Sequence, residues 1–111
     1  MGSRGSESVS YSGALVLQAI QQGFRHGFDI LGATGLPSGS VYPLLRRLEA
    51  AGLVDSRWED VADAHDAARP QRRYYSLTTA GGTALAAARE RVLAQQALFG
   101  GRRRGAARGR G

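Results

Sequence analysis

Residues 36–54 read LPSGSVYPLLRRLEAAGLV, and the way this stretch distributes its apolar side chains decides the fold. On a wheel of about 100° per residue started at Val41, the residues Leu44, Leu45 and Leu48 fall in one stripe about 100° wide. The spacing predicts a helix over 38–51, with Ser38 or Ser40 as its cap and Gly52 as its stop. Pro43 is expected in the first turn, where its missing N–H costs little. The opposite side carries Gly39, Tyr42, Pro43, Arg46 and Arg47, with Glu49 as the nearby acid. Such a helix buries one side and presents a cationic, small-residue strip on the other.

Upstream, residues 10–22 (SYSGALVLQAIQQ) place Leu15, Val16, Leu17, Ala19 and Ile20 on more than one side, the pattern of a helix buried on two faces. Ser10 or Ser12 caps it and Gly23 stops it. Residues 26–33 predict a short second helix with Phe28, Ile30 and Leu31 as its apolar contacts, ended by Thr34 and Gly35. Only Gly35, Leu36 and Pro37 then precede Ser38. Two short helices joined by so tight a turn must cross steeply, as in a helix-turn-helix.

Downstream the period changes to two. Val54, Ser56 and Trp58 alternate with Asp55 and Arg57, and Arg73, Tyr75 and Leu77 alternate with Arg72, Tyr74 and Ser76, which predicts an antiparallel hairpin. Its connection over 59–71 is long and carries Glu59, Asp60, Asp63 and Asp66 before Arg69; loops of that length are uncommon unless mobile or used. Trp58, Tyr74 and Tyr75 are expected to form a small aromatic cluster around the hairpin. Thr78 or Thr79 then caps a helix running to about Phe99, in which Leu85, Val92 and Phe99 recur every seven residues with Ala88 and Leu93 between them. That stripe needs a partner, and Tyr11 and Leu15 of a second subunit's first helix are the expected ones.

The fold class is therefore mainly α with a small β-hairpin: a winged helix-turn-helix over residues 10–77 and a dimerisation helix over 78–99. A flexible leader (1–9) and a disordered Arg/Gly-rich tail (100–111) flank them. Composition supports a dimer, because 18 of the 111 residues are Ala while Leu, Ile, Val and Phe together number 23. A core so thin gains from burial against a second subunit. All fifteen basic residues are Arg, five of them in the last twelve positions, so residues 1–99 hold ten Arg against nine acids. The tail attracts any polyanion, and specific function must come from residues 10–99.

Catalysis finds no footing in the sequence. There is no Cys and no Lys, and no Gly-x-Ser-x-Gly or His-Glu-x-x-His motif. His26 and His65 lack the spaced partners of a metal site, so neither a metal nor a cofactor is expected. The Cys-free composition fits the cytoplasm, and no apolar run approaches the roughly 20 residues of a membrane span. If the third helix reads DNA, then Ser38, Gly39, Ser40, Tyr42, Pro43, Arg46 and Arg47 lie in or beside a major groove about 12 Å wide. The helix lacks Asn, Gln or an N-terminal Arg for bidentate reading, so phosphate contacts and DNA shape carry more of the recognition. Arg69, Arg72 and Arg73 at the wing can reach phosphates or a minor groove, with pairing to the loop acids as the alternative for Arg69 and Arg72. Arg72 and Arg73 point to opposite faces of a strand, so one of the two is structural. The rival reading is an interaction module that holds nucleic acid only weakly through its tail; the Arg46–Arg47 pair favours DNA.

The segments HGFDI at 26–30, LPSGSVYPLLRRLEAAGLV at 36–54, RW at 57–58 and RPQRRYYSLTTAG at 69–81, in this order and spacing, resemble PadR-type transcriptional regulators over about 70 residues, and the single final helix is similar to that of the family's short subgroup. The departures are Phe28 for the usual Tyr, a longer and more acidic wing loop, and Ala68 where a Gly is often found. The resemblance implies a cytoplasmic homodimer that binds double-stranded DNA and represses transcription. It also implies, as in some members, release of DNA when a small aromatic molecule binds between subunits. No residue identifies that molecule.

Overall fold

The computed structural model describes residues 9–110, with side chains for 9–100. Chain order is α1 (Tyr11–Gln21), α2 (Gly27–Thr34), α3 (Ser38–Ala50), β1 (Val54–Trp58), α4 (Val61–Asp66), β2 (Arg73–Leu77) and α5 (Thr79–Arg110). The expected leader lies outside the described residues except for Val9, which packs against the core and accepts a 2.6 Å hydrogen bond from Arg91 at its carbonyl. Helix α1 is the hub, packing against α2, α3, β2 and α5, and its two-sided apolar pattern is the reason: Val16, Leu17, Ala19 and Ile20 are all buried. The α3 stripe Val41, Leu44, Leu45 and Leu48 is buried against it as expected. Ile30 of α2, Val54 and Tyr75 of the hairpin and Leu85 of α5 complete one core.

The local signals that start and stop these helices are mostly the ones read from sequence. Ser10 caps α1, its hydroxyl accepting from the Gly13 N–H at 3.0 Å, and Thr78 caps α5 by accepting from Gly81 at 2.9 Å. Gly35 closes α2 in the left-handed conformation (φ 73°) that turns the chain into α3. Two details of α3 differ. Its cap is Pro37, with no side-chain cap bond from either serine. Pro43 is the sixth residue of the helix, beyond the first turn, and removes the bond its N–H would make to the carbonyl of Gly39. Gly39 is exposed, so water can serve that oxygen.

The hairpin pairs β1 with β2 antiparallel, Val54 opposite Leu77 and Ser56 opposite Tyr75. Residues before α2 add to its free edge: the Tyr75 N–H donates to the Arg25 carbonyl at 2.8 Å, and His26 bridges Tyr74. No period-two run announces this third strip of extended chain. The expected aromatic cluster is not formed. Trp58 and Tyr75 share one face of the hairpin and Tyr74 lies on the other. Phe28 corrects another expectation, being 77% exposed rather than in the core.

The connection between the strands contains a turn of helix, α4, capped by Asp60, whose carboxylate accepts from the Ala62 N–H at 2.9 Å. Ala68 ends it at φ 57°, the one non-Gly residue with positive φ among the described residues. In α5, Leu85 and Ala88, expected at the dimer seam, are already buried inside the protomer. The helix also continues through Arg110 instead of stopping near Phe99. Arg and Ala between the glycines are good helix formers and no Pro interrupts them; the side chains of 101–111 lie outside the described residues.

Glycine requirements separate cleanly at the start of α5. A Cβ on Gly81 would run into the Leu53 carbonyl oxygen, whereas one on Gly82 would meet open space. Gly81→Ala is expected to destabilise by more than about 2 kcal/mol because backbone must move, while Gly82→Ala stabilises by up to about 1 kcal/mol. Ala68→Gly relieves the left-handed residue and is expected to be neutral or stabilising by up to about 1 kcal/mol, after the entropy Gly adds to the unfolded chain. Urea midpoints at constant m-value check all three.

Candidate nucleic-acid interface

Burial of the α3 stripe leaves its other side facing out. Gly39, Tyr42, Arg46 and Arg47 are exposed and Pro43 and Ser40 half-buried, with Ser38 exposed at the helix start. Among the described residues, Arg46 and Arg47 make no ion pair and no side-chain hydrogen bond, so both guanidinium groups keep all their donors. Tyr42, 40% exposed, lies against Gly27: a Cβ there would come within 2.5 Å of the ring and 2.7 Å of the hydroxyl oxygen. The Gly of the HGFDI segment thus makes room for the tyrosine of the outward face.

The wing is held by one carboxylate. Glu59 is buried, and Arg69 donates to both its oxygens, Nη1 to Oε1 at 2.5 Å and Nη2 to Oε2 at 2.8 Å. The Arg72 N–H donates to Oε1 at 3.1 Å and the Tyr74 hydroxyl to Oε2 at 3.4 Å, while Gln71 Nε2 donates to the Glu59 carbonyl at 2.6 Å. This fork closes the α4 connection onto the end of the hairpin. The Arg69 guanidinium is the main cause, with the Arg72 N–H helping against desolvation, that brings the Glu59 carboxyl from 4.5 down to about 2. Arg69 therefore makes the acid pairing, the alternative to a DNA contact. The sequence places Glu59, Asp60, Asp63 and Asp66 together in one connection; nothing in their spacing singles out Glu59.

Arg73 is the structural member of its pair. Its Nε donates to Ser56 Oγ at 2.9 Å, its guanidinium stacks 5.0 Å over the Trp58 ring, and one end lies 3.7 Å from Glu49. Ser56 in turn donates to Glu49 at 2.7 Å, so this chain of contacts ties the last turn of α3 to the wing. The Arg72 side chain makes no hydrogen bond or ion pair among the described residues and lines a hollow with Tyr42 and Phe28. Arg57, part of the RW segment but not among the DNA contacts expected from sequence, is an exposed cation lying 5.4 Å over the Tyr74 ring on the other hairpin face. On α3 and the wing, the accessible cations among the described residues are thus Arg46, Arg47, Arg57 and Arg72, with Arg69 and Arg73 committed to the scaffold.

His26 is buried, 3.0 Å from Asp29 and edge-on to Tyr74. Desolvation holds its imidazole below the usual value against the pull of Asp29, and Arg72 pushes the same way as burial. It serves the junction of α2 and wing. No group of three His, Cys, Asp or Glu among the described residues is placed to hold a metal ion, and no helix among them is long and apolar enough to cross a membrane.

On the far side of the molecule, Tyr11 and Leu15 of α1 and Val92 and Leu93 of α5 line a groove of about 230 Å³ floored by Leu85 and Ala88. From Leu93 to Phe99 every side chain of α5 is exposed, Leu93 at 62% and Phe99 at 72%.

The family model described as the transcriptional regulator PadR-like family matches residues 16–87. Among solved structures, a Streptococcus transcriptional regulator superposes with a TM-score of 0.66 at 22% identity, covering 82% of this chain and 90% of its own. A PadR family transcription regulator from Clostridium difficile R20291 gives 0.61 at 22% identity over 81% of this chain and 90% of its own. BpsR of Bordetella bronchiseptica, whose DNA binding is regulated by 6-hydroxynicotinic acid, gives 0.57 at 25% identity over 80% of this chain and 61% of its own. No curated protein matches.

The wing fork makes stability depend on acid. Because Glu59 titrates at 4.5 when unfolded and at about 2 when folded, its contribution is complete above pH 4.5 and fades as pH falls toward 2. Glu59→Gln is expected to lower the urea midpoint at pH 7 and to converge with the wild type near pH 2. A constant gap across that window would remove Glu59 from this role.

Proposed function

The chain belongs to the PadR-like family of transcriptional regulators, and on that premise we propose that it is a homodimeric, sequence-specific DNA-binding repressor, acting in the cytoplasm without catalysis. The observation that carries the reading is the outward strip of α3. It combines small residues that permit close approach, a tyrosine seated on Gly27, and two arginines with no competing partner among the described residues. Such a strip suits a major groove, with Gly39, Pro43 and Arg46 toward the base edges and Arg47 toward phosphate. Arg72 and Arg57 extend the positive surface along the wing, where Arg69 and Arg73 hold the frame.

The dimer uses the exposed half of the α5 stripe. Leu93 and Phe99, together with Val92, Tyr11 and Leu15, present apolar surface that the protomer does not cover, and a second α5 lying in the α1–α5 groove buries it. Leu85 and Ala88 form the floor of that seam instead of its contact. An aromatic effector would act there, since the groove is apolar and adjoins the twofold contact; regulation of BpsR by 6-hydroxynicotinic acid is the parallel. The tail adds affinity for any DNA without choosing among sequences.

Selection of duplexes from a random pool by the purified protein is expected to yield a pseudo-palindrome with half-sites about one turn, 34 Å, apart. Roughly 8 phosphate contacts give a slope near −7 in a plot of log affinity against log salt. Arg46→Ala with Arg47→Ala is expected to weaken operator binding by about 3 kcal/mol or more while leaving the dimer intact; unaltered binding would point to a protein-interaction module. Leu93→Glu with Phe99→Glu is expected to give monomers in sedimentation that keep the circular dichroism of the wild type, because neither residue belongs to the protomer core.

A further inference from the structure

An α-helix about 10–12 Å across fills a major groove about 12 Å wide, so the two sugar-phosphate backbones bordering the groove must pass along its two flanks. With Gly39, Pro43 and Arg46 central on the outward strip of α3, one flank carries Tyr42 and the other Ser40 and Arg47. Each flank opens onto a cleft. On the wing side a cleft of about 230 Å³ is bordered by Phe28, Tyr42, Gln71 and Arg72. On the α1 side a cleft of about 350 Å³ is bordered by Ser10, Ser12, Ser40 and Arg47. Neither lining includes an Asp or Glu, and each contains one arginine without a side-chain partner among the described residues.

We propose that these two clefts seat the two opposing DNA backbones, the wing-side strand on Arg72 between the rings of Phe28 and Tyr42 and the α1-side strand on Arg47 with the hydroxyls of Ser12 and Ser40. The inference rests on the DNA-binding reading and adds to it Phe28, Ser12 and the division of strands. The exposure of Phe28 finds its reason here. A phenyl ring at 77% exposure beside a cationic cleft offers an apolar wall to deoxyribose, which has no charge, while Arg72 meets the phosphate. The two seats differ in chemistry. The wing side is aromatic and cationic, and the α1 side is hydroxylic and cationic, so the protein reads its two strands through different contacts.

The test uses the duplex selected from the random pool and phosphate ethylation interference on the full-length protein. The wild type is expected to show two interference clusters per half-site, on opposite strands across one major groove. Arg72→Gln erases one cluster and Arg47→Gln the other, each lowering the salt slope by about 1 per protomer with the preferred sequence unchanged. Arg72→Lys retains its cluster, which separates loss of charge from loss of fold. Phe28→Ala weakens specific and non-specific duplexes alike, about tenfold. Both glutamine variants losing the same strand, either keeping the wild-type pattern, or Phe28→Ala binding undiminished overturns the assignment. A wild type that selects no sequence refutes instead the reading on which it rests.

Discussion

Burial of Val41, Leu44, Leu45 and Leu48 against α1 is the constraint on which the other features depend. Each such side chain is worth roughly 1.5–3 kcal/mol when removed from water, so rotating α3 by even one residue position would expose leucines and bury Arg46 or Arg47. The cost of an unpaired buried guanidinium makes that rotation inaccessible. What faces out is therefore decided by what must face in. The same packing places Gly27 under Tyr42 and brings the last turn of α3 within reach of the wing through Glu49, Ser56 and Arg73.

The wing shows arginine in two roles within five residues. Arg69 and Arg73 give their donors to Glu59, Ser56 and Glu49, and their planar forks suit those bidentate and stacked contacts. Arg72, between them, gives its backbone N–H to Glu59 and leaves its side chain outside that network. Three exposed acids of the α4 segment, Asp60, Asp63 and Asp66, stay away from the fork. The net effect is a wing whose frame is internally neutralised, with free positive charge from Arg72 on the side shared with α3 and from Arg57 on the other hairpin face.

The α5 helix accounts for the thin core. Its first turns, with Leu85 and Ala88, are consumed in closing the protomer, and from Leu93 to Phe99 no other described element covers it. Exposed Leu93 and Phe99 flank the line of Val92 on this helix and leave apolar surface uncovered by the protomer.

Periodicity settled much of this from residues alone. The leucine stripe of α3, the two-sided pattern of α1, the alternation on either side of residues 59–71 and the turn glycine at 35 act locally, through side-chain spacing and backbone preference, so a linear reading reaches them. The outward strip of α3 came with them, because a stripe defines its opposite. Tertiary structure alone decided which arginines remain accessible, since Glu59 meets Arg69 across a ten-residue separation and Glu49 of α3 meets Arg73 of the hairpin. It also decided that Phe28 faces solvent, that Tyr74 and Trp58 part to opposite faces, and that Leu85 belongs to the protomer. Each of these depends on what another element brings alongside, and one-dimensional spacing carries no information about that.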